Sequence, residues 1–146
     1  MAESSPRHSV SVAAAIVNES GQLLAVRRRD NGHWEPPGGI LELHETIPAG
    51  LVREVREETG LEVEPEYIVG VYSDPGHVFA YDDGEVRQQF SVCFACRIVG
   101  GQVRTSEESS EVAFFAPAEI DTLDMHESIR LRIRHYLERR PQSVIA

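Results

Sequence analysis

The chain has 146 residues and carries 14 cationic side chains against 24 Asp and Glu, a formal charge of −10. That balance excludes a general nucleic-acid binder, which needs a basic footprint to displace phosphate counterions. With 41% apolar and 26% charged residues it reads as one ordinary globular domain, not a disordered chain. All 14 cations are Arg, so Schiff-base lysine chemistry and the Lys-bearing Walker loop are excluded, whereas bidentate phosphate contacts remain open.

Residues 1–6 are polar and read as a loose N-terminus. Residues 9–17 read as a strand, 18–21 (Asn-Glu-Ser-Gly) as a turn, and 22–28 as a second strand closing a hairpin. The apolar run Val12 to Val17 is the longest in the chain. It is too short to span a bilayer or to act as a signal sequence, so the expected location is the cytoplasm, with no membrane partner. A loop carrying Trp34, Pro36, Pro37, Gly38 and Gly39 follows.

Residues 46–59 read as a helix, with Thr46 or Ile47 at its cap, Pro48 in the first turn and Gly60 just past the end. Residues 61–73 are extended, Pro65 marking an edge or a bulge. Residues 77–81 and 86–99 read as a hairpin around Asp82-Asp83-Gly84. Gly100-Gly101 turns the chain and residues 112–115 form a short strand. The last helix, 125–139, places Ile129, Ile133, Tyr136 and Leu137 on one stripe, and the tail from Pro141 reads as loose. Cys93 and Cys96 spell C-x-x-C within a strand, where residues three apart face opposite ways. With no second Cys or His pair at zinc spacing, they read as buried structural thiols. The expected architecture is thus a single α/β domain over 7–140, a mixed β-sheet between helices, flanked by loose residues 1–6 and 141–146.

The chemistry concentrates between Gly39 and Leu61. At about 100° per residue, Glu54, Glu57 and Glu58 share an arc of about 100° on one helix face, apart from a packing side with Val52, Val55 and Thr59. Alone, such a face is either a solvated acidic surface or a site for a hard cation that prefers oxygen ligands, Mg²⁺ or Mn²⁺.

The surrounding pattern decides between them. Gly39, five residues, Glu45, seven residues, then Arg53-Glu54-Val55-Arg56-Glu57-Glu58-Thr59-Gly60-Leu61 resembles the Nudix box, Gx5Ex7REUxEExGU with U aliphatic. Every specified position matches, and chance would produce this in such a chain with a probability on the order of 10⁻⁶. The resemblance implies a Nudix-type α/β/α sandwich and Mg²⁺-dependent hydrolysis of a nucleoside diphosphate linked to another moiety, with Mn²⁺ as a substitute ion. It implies Glu54, Glu57 and Glu58 as metal ligands with a backbone carbonyl from Gly39, and Arg53 holding them by pairing with Glu57 or Glu45. For the catalytic base the resemblance implies Glu57 or a carboxylate recruited from the segment with Glu107, Glu108 and Glu111, of which Glu108 is favoured, the alternative for that segment being a solvated acidic turn. Three variable positions depart from the family's usual residues: His44 stands where Gly is frequent, and Pro48 and Gly50 replace better helix formers.

For the substrate, Arg27 and Arg29 share a strand face and are candidates for phosphate contact, the alternative being a solvated strand end. Trp34 either stacks on a base or packs behind the glycine loop. Phe79, Tyr81, Arg87 and Gln89 are candidates for a pocket wall; His77 and His126 read as structural or surface residues. Pro75 and Tyr81 miss the spacings that mark some Nudix subfamilies, and no signature of the coenzyme A or NADH hydrolases is present. The shortness of the chain favours a nucleoside triphosphate or small capped nucleotide over ADP-ribose. The competing readings are a nucleotide-sensing module of the same fold that does not cleave, and an isoprenyl diphosphate isomerase, which needs a Cys in the pocket. Pairing of Nudix domains makes a homodimer a further expectation.

Overall fold

The computed structural model describes residues 7–80 and 84–146. The expectations for residues 1–6, for Tyr81, for the Asp82-Asp83 turn and for the Phe79 side chain lie outside what is described. The elements run β1 (Arg7–Ile16), β2 (Leu23–Arg28), β3 (Trp34–Glu35), β4 (Gly38–Ile40), α1 (Ile47–Thr59), β5 (Leu61–Tyr72), β6 (Val78–Ala80), β7 (Val86–Gly101), β8 (Ser109–Phe115), α2 (Pro117–Ile120), α3 (Glu127–Glu138) and β9 (Val144–Ile145). A mixed six-stranded sheet has the order β4-β1-β7-β5-β9, with β6 also on β7, and a three-stranded sheet has the order β3-β2-β8. Among the described residues no helix is long and apolar enough to cross a membrane.

The expected hairpin of the first two strands does not form. A single bridge, Val17 to Leu23, joins their ends, and beyond it β1 and β2 part into different sheets. The cause is burial on both faces: Ala14 and Ala25 are fully buried, as are Ile16 and Leu23 to within 2%. A strand apolar on both faces belongs in the middle of a sheet, with a neighbour on each side. β1 accordingly lies between β4 and a parallel partner, β7, from Arg7 opposite Arg87 to Ile16 opposite Cys96.

The six-stranded sheet divides the core by side-chain parity. Ala13, Ala15, Cys93 and Ala95 face α3, with its Ile129, Ile133 and Tyr136. Val12, Ala14, Ile16, Phe94 and Cys96 face α1, with its Leu51 and Val55. The two cysteines thus take opposite faces, free and buried, and burial pushes each thiol up to about 12. Thiols so held are inert.

Several boundaries differ from the sequence reading, and β7 runs on through Gly100 and Gly101, where a turn was expected. The last helix is shorter at both ends, capped by His126, whose Nδ1 accepts the Ser128 N–H at 3.1 Å, and Leu137 is 39% exposed, off the buried stripe. The tail is not loose: β9 adds to β5 in parallel, the Ala146 N–H donates to the Val71 carbonyl, and the Ser73 N–H to that of Ala146. Short polar stretches give no period to read, so a two-residue edge strand escapes pattern analysis. β8 starts at Ser109, three residues earlier than its apolar pattern suggests.

α1 is cut where its sequence indicates. Thr46 Oγ1 accepts the Ala49 N–H at 3.2 Å, and Gly60 closes the helix in the left-handed region at φ 80°. Gly50 is buried, and a Cβ there would crowd Leu41 Cδ1 and Glu45 Oε1, so the weaker helix former makes room for the loop carrying Glu45. His44 in that loop is left-handed at φ 68°, a conformation costing a non-glycine residue about 1 kcal/mol. His44→Gly is expected to raise the unfolding free energy by about 1 kcal/mol, roughly 2–4 °C in melting temperature. Urea and thermal unfolding check this; an unchanged or lower stability contradicts it.

Candidate active site

Arg53 projects from the second turn of α1 into a ring of carboxylates. Its Nε and Nη2 donate to Glu45 Oε2 and Oε1 at 2.6 and 2.9 Å, a two-pronged contact. Nη1 donates to Glu54 Oε1 at 3.0 Å and to Glu57 Oε2 at 3.2 Å. Nη2 also reaches the Ile40 carbonyl at 3.3 Å, and Glu42 Oε1 lies 3.6 Å from Nη1. The two partners expected as alternatives, Glu45 and Glu57, are both engaged. Glu45 is further tied by accepting the Glu42 N–H at 3.0 Å, and these contacts, Arg53 first, hold its carboxyl down to about 2.

The carboxylates of α1 occupy three environments. Glu57 is exposed, Glu54 is half-buried under β4, and Glu58 is only 7% exposed. Gly39 makes the second possible: a Cβ there would collide with the Glu54 carboxylate. Burial raises Glu54, with Arg53 pulling against it. Burial also pushes Glu58 up to about 9, helped by the charges of Glu35, Glu54 and Glu108 and opposed by the Gly38 amide. Glu35 on β3 is itself raised by burial, against the pull of Arg28 at 3.3 Å. Sequence reasoning missed Glu35, because nothing in the box points to it and its role follows from β3 folding back beside α1.

A cleft of about 370 Å³ opens beside these groups, lined by Glu57, Glu58, Arg104, Ser106, Glu107 and Glu108. The structure thus brings Glu108 together with two box carboxylates. Glu111 is elsewhere, on β8 and paired with Arg27 at 3.2 Å. Arg104 was not anticipated; its backbone N–H donates to the Thr59 carbonyl and its Nη2 to the Arg56 carbonyl at the end of α1. Arg29 braces the acidic loop: its N–H donates to the Glu108 carbonyl and its Nε to that of Ser106. Arg27 Nε donates to the Gly32 carbonyl, and its guanidinium lies 5.9 Å from the Trp34 ring centre.

Trp34 resolves to packing. It is 8% exposed and meets Phe115 edge-on with ring centres 4.9 Å apart, leaving no open face for a base. Arg87 pairs with Glu85 at 2.9 Å. Gln89 lines a second cavity, on the α3 side of the sheet. Cys93 and Cys96 lie inside the sheet, so an isomerase finds no nucleophile in the cleft.

Among the described residues, no three His, Cys, Asp or Glu side chains converge as a ready-made ion cage. Glu54 and Glu57 turn to Arg53, and Glu58 sits by the Gly38 amide. The donor chemistry nevertheless fits a hard divalent cation: every donor is an oxygen, and the like charges raising Glu58 are the imbalance such an ion relieves.

A family model described as NUDIX domain matches residues 7–137. A MutT-like protein of Streptomyces ambofaciens is 47% identical over 119 residues, covering 82% of this chain and 71% of that protein. A nucleoside triphosphatase, NudI, of an Enterobacter species is 30% identical over 132 residues, 86% of this chain and 94% of that one. Of an ADP-ribose pyrophosphatase from Methanocaldococcus jannaschii, 30% identical over 116 residues and 74% of this chain, the match spans 62%. Among solved structures, a NUDIX hydrolase from Nitrosomonas europaea is 26% identical with a TM-score of 0.78, over 97% of this chain and 78% of that one.

The electrostatics carry a sign that can be measured. Glu58 has an ordinary value of 4.5 and one of about 9 in the fold, so between those pH values the folded chain binds a proton that the unfolded chain lacks. Metal-free stability therefore falls as pH rises through this interval. Glu58→Gln is expected to flatten that dependence and to be more stable than the parent at pH 9. Urea unfolding in chelator at pH 6 and pH 9 checks both; a parent curve that rises with pH contradicts the assignment.

Proposed function

This chain belongs to the NUDIX domain family of hydrolases, and we propose that it hydrolyses a pyrophosphate bond in a nucleoside diphosphate derivative with Mg²⁺ at the α1 carboxylates. The observation that carries the reading is the unbalanced oxygen cluster. Glu57, Glu58 and Glu108 line one cleft, with Glu54 beside it against Gly39. Glu54, Glu57 and Glu58 would hold the ion, together with the Gly39 carbonyl. When bound, the ion neutralises the diphosphate, polarises a phosphoryl oxygen and acidifies a water.

The chain's own groups do the rest. Water attacks phosphorus, the bridging P–O bond breaks, and the departing phosphate leaves with the electron pair. The proton released by the water passes to a carboxylate of the cleft, where Glu57 and Glu108 are the candidates. Arg53, braced by Glu45, positions Glu54 and Glu57. Arg29 positions the loop that carries Glu108.

A nucleoside triphosphate or small capped nucleotide fits better than ADP-ribose. In support, the nucleoside triphosphatase relative is matched over 86% of this chain and the ADP-ribose pyrophosphatase relative over 74%. The test is phosphate release with Mg²⁺ across triphosphates, capped dinucleotides, ADP-ribose and nucleotide sugars, scoring pyrophosphate and orthophosphate separately. Turnover of triphosphates or small caps above ADP-ribose is expected, and Glu57→Gln should lower it on the order of 10²-fold or more while leaving the fold intact. Metal-dependent turnover retained by Glu57→Gln contradicts the site, and silence across the panel contradicts the activity.

A further inference from the structure

Among the described residues, the cleft beside α1 is lined by Glu57, Glu58, Glu107 and Glu108, by Ser106, and by a single cation, Arg104. That guanidinium is held at two points against the last turn of α1. Its backbone N–H donates to the Thr59 carbonyl at 2.8 Å, and its Nη2 donates to the Arg56 carbonyl at 3.1 Å. Gly60 leaves room for its stem, since a Cβ there would stand 2.7 Å from Arg104 Cγ. The glycine that ends α1 thus also lets segment 102–108 close on the helix, and Arg104 shares the cleft with Glu57 and Glu58.

A cation beside the last carbonyls of a helix is favourable in itself, and that accounts for Nη2. It does not account for the rest of the group. Among the described residues Nε and Nη1 have no hydrogen bond, and no carboxylate of the cleft is within ion-pair distance. By contrast Arg53, Arg56 and Arg97 each close on a carboxylate. A hydrolase of the proposed kind has to admit a polyphosphate into this acidic cleft. A divalent cation offsets the diphosphate that it holds, whereas a further phosphate brings more negative charge towards Glu107 and Glu108. Arg104 is the group of the lining that can meet that charge, because a guanidinium gives phosphate oxygens charge-assisted hydrogen bonds.

We propose that Arg104 binds a phosphate of the substrate beyond the diphosphate held at the α1 carboxylates, so that the enzyme selects substrates by their number of phosphates. Nucleoside triphosphates, and dinucleotides bridged by three or more phosphates, are accepted. Nucleoside diphosphates, ADP-ribose and nucleotide sugars carry two, and leave the guanidinium without its partner. The inference rests on the nucleotide reading above and specifies its substrate class.

The experiment compares kcat and KM for ATP with those for ADP and ADP-ribose in the parent, Arg104→Met, Arg104→Lys and Arg134→Met, with Mg²⁺ present. Calorimetric binding of inorganic tripolyphosphate and pyrophosphate to the same proteins runs alongside. Arg134 is exposed on α3, away from the cleft, so its variant controls for the loss of one positive charge. The parent is expected to prefer ATP about tenfold or more, mainly through KM. Arg104→Met should raise KM for ATP by about that factor while kcat, and KM for ADP-ribose, stay within a few-fold. Arg104→Lys should keep part of the preference, and Arg134→Met all of it. A parent without the preference, or an Arg104→Met protein that retains it, overturns the inference and leaves the hydrolase standing. So does an equal fall for ATP and ADP-ribose, which is the signature of a helix cap alone, or the same change in Arg134→Met. If no nucleotide turns over, tripolyphosphate binding tighter than pyrophosphate binding, lost in Arg104→Met, upholds the role of Arg104, and equal binding overturns it. If Arg104→Met does not fold, the parent's preference and its partial loss in Arg104→Lys decide.

Discussion

Arg53 meets Glu45, Glu54 and Glu57 with a single guanidinium, and the local architecture follows from that contact. Glu45 reaches it only because the loop before α1 turns through a left-handed His44 and because Gly50 leaves space for the Glu45 carboxylate. Glu54 reaches it only because Gly39 has no side chain. An Arg serves here where a Lys would not, since a planar fork satisfies several carboxylate oxygens in fixed directions. In a chain with no Lys at all, the hydrogen bonds of this guanidinium all go to groups between Ile40 and Glu57.

Among the described residues, Glu58 has no ion-pair partner. Glu58 is buried beside Glu35, with Glu54 and Glu108 near enough to raise it further. A fold selected only for stability would place apolar groups there. On the proposed reading, a divalent cation would relieve that imbalance. The acidic loop of β8 is part of the same construction, since Arg29 ties its carbonyls to the end of β2 and so sets Glu108 beside α1.

Much of this was legible in the residue pattern, and the reasons differ by element. α1 was readable to within one residue because caps, proline and terminal glycine are local signals. The opposite faces of Cys93 and Cys96 followed from strand parity. The grouping of Glu54, Glu57 and Glu58 followed from helical pitch, but their unequal burial did not, because it depends on β3 and β4 folding over the helix. The split of β1 and β2 into two sheets, the pairing of β9 and the burial of Trp34 are decided by tertiary partners. Arg132 is the clearest case. In sequence it is one of many arginines on a polar-looking helix, and only the packing of α3 on β7 shows it to be buried beside a cavity.

The measurement that bears most directly on the carboxylate cluster is the melting temperature of the metal-stripped protein at pH 8, with and without millimolar Mg²⁺. If the cluster is completed by a divalent cation, the ion binds the folded chain preferentially. It then raises the melting temperature by an amount that grows with its concentration, and Glu58→Gln loses most of the rise. A melting temperature unmoved by Mg²⁺ and Mn²⁺ alike would contradict the account, leaving Arg53 and its carboxylates as a structural network.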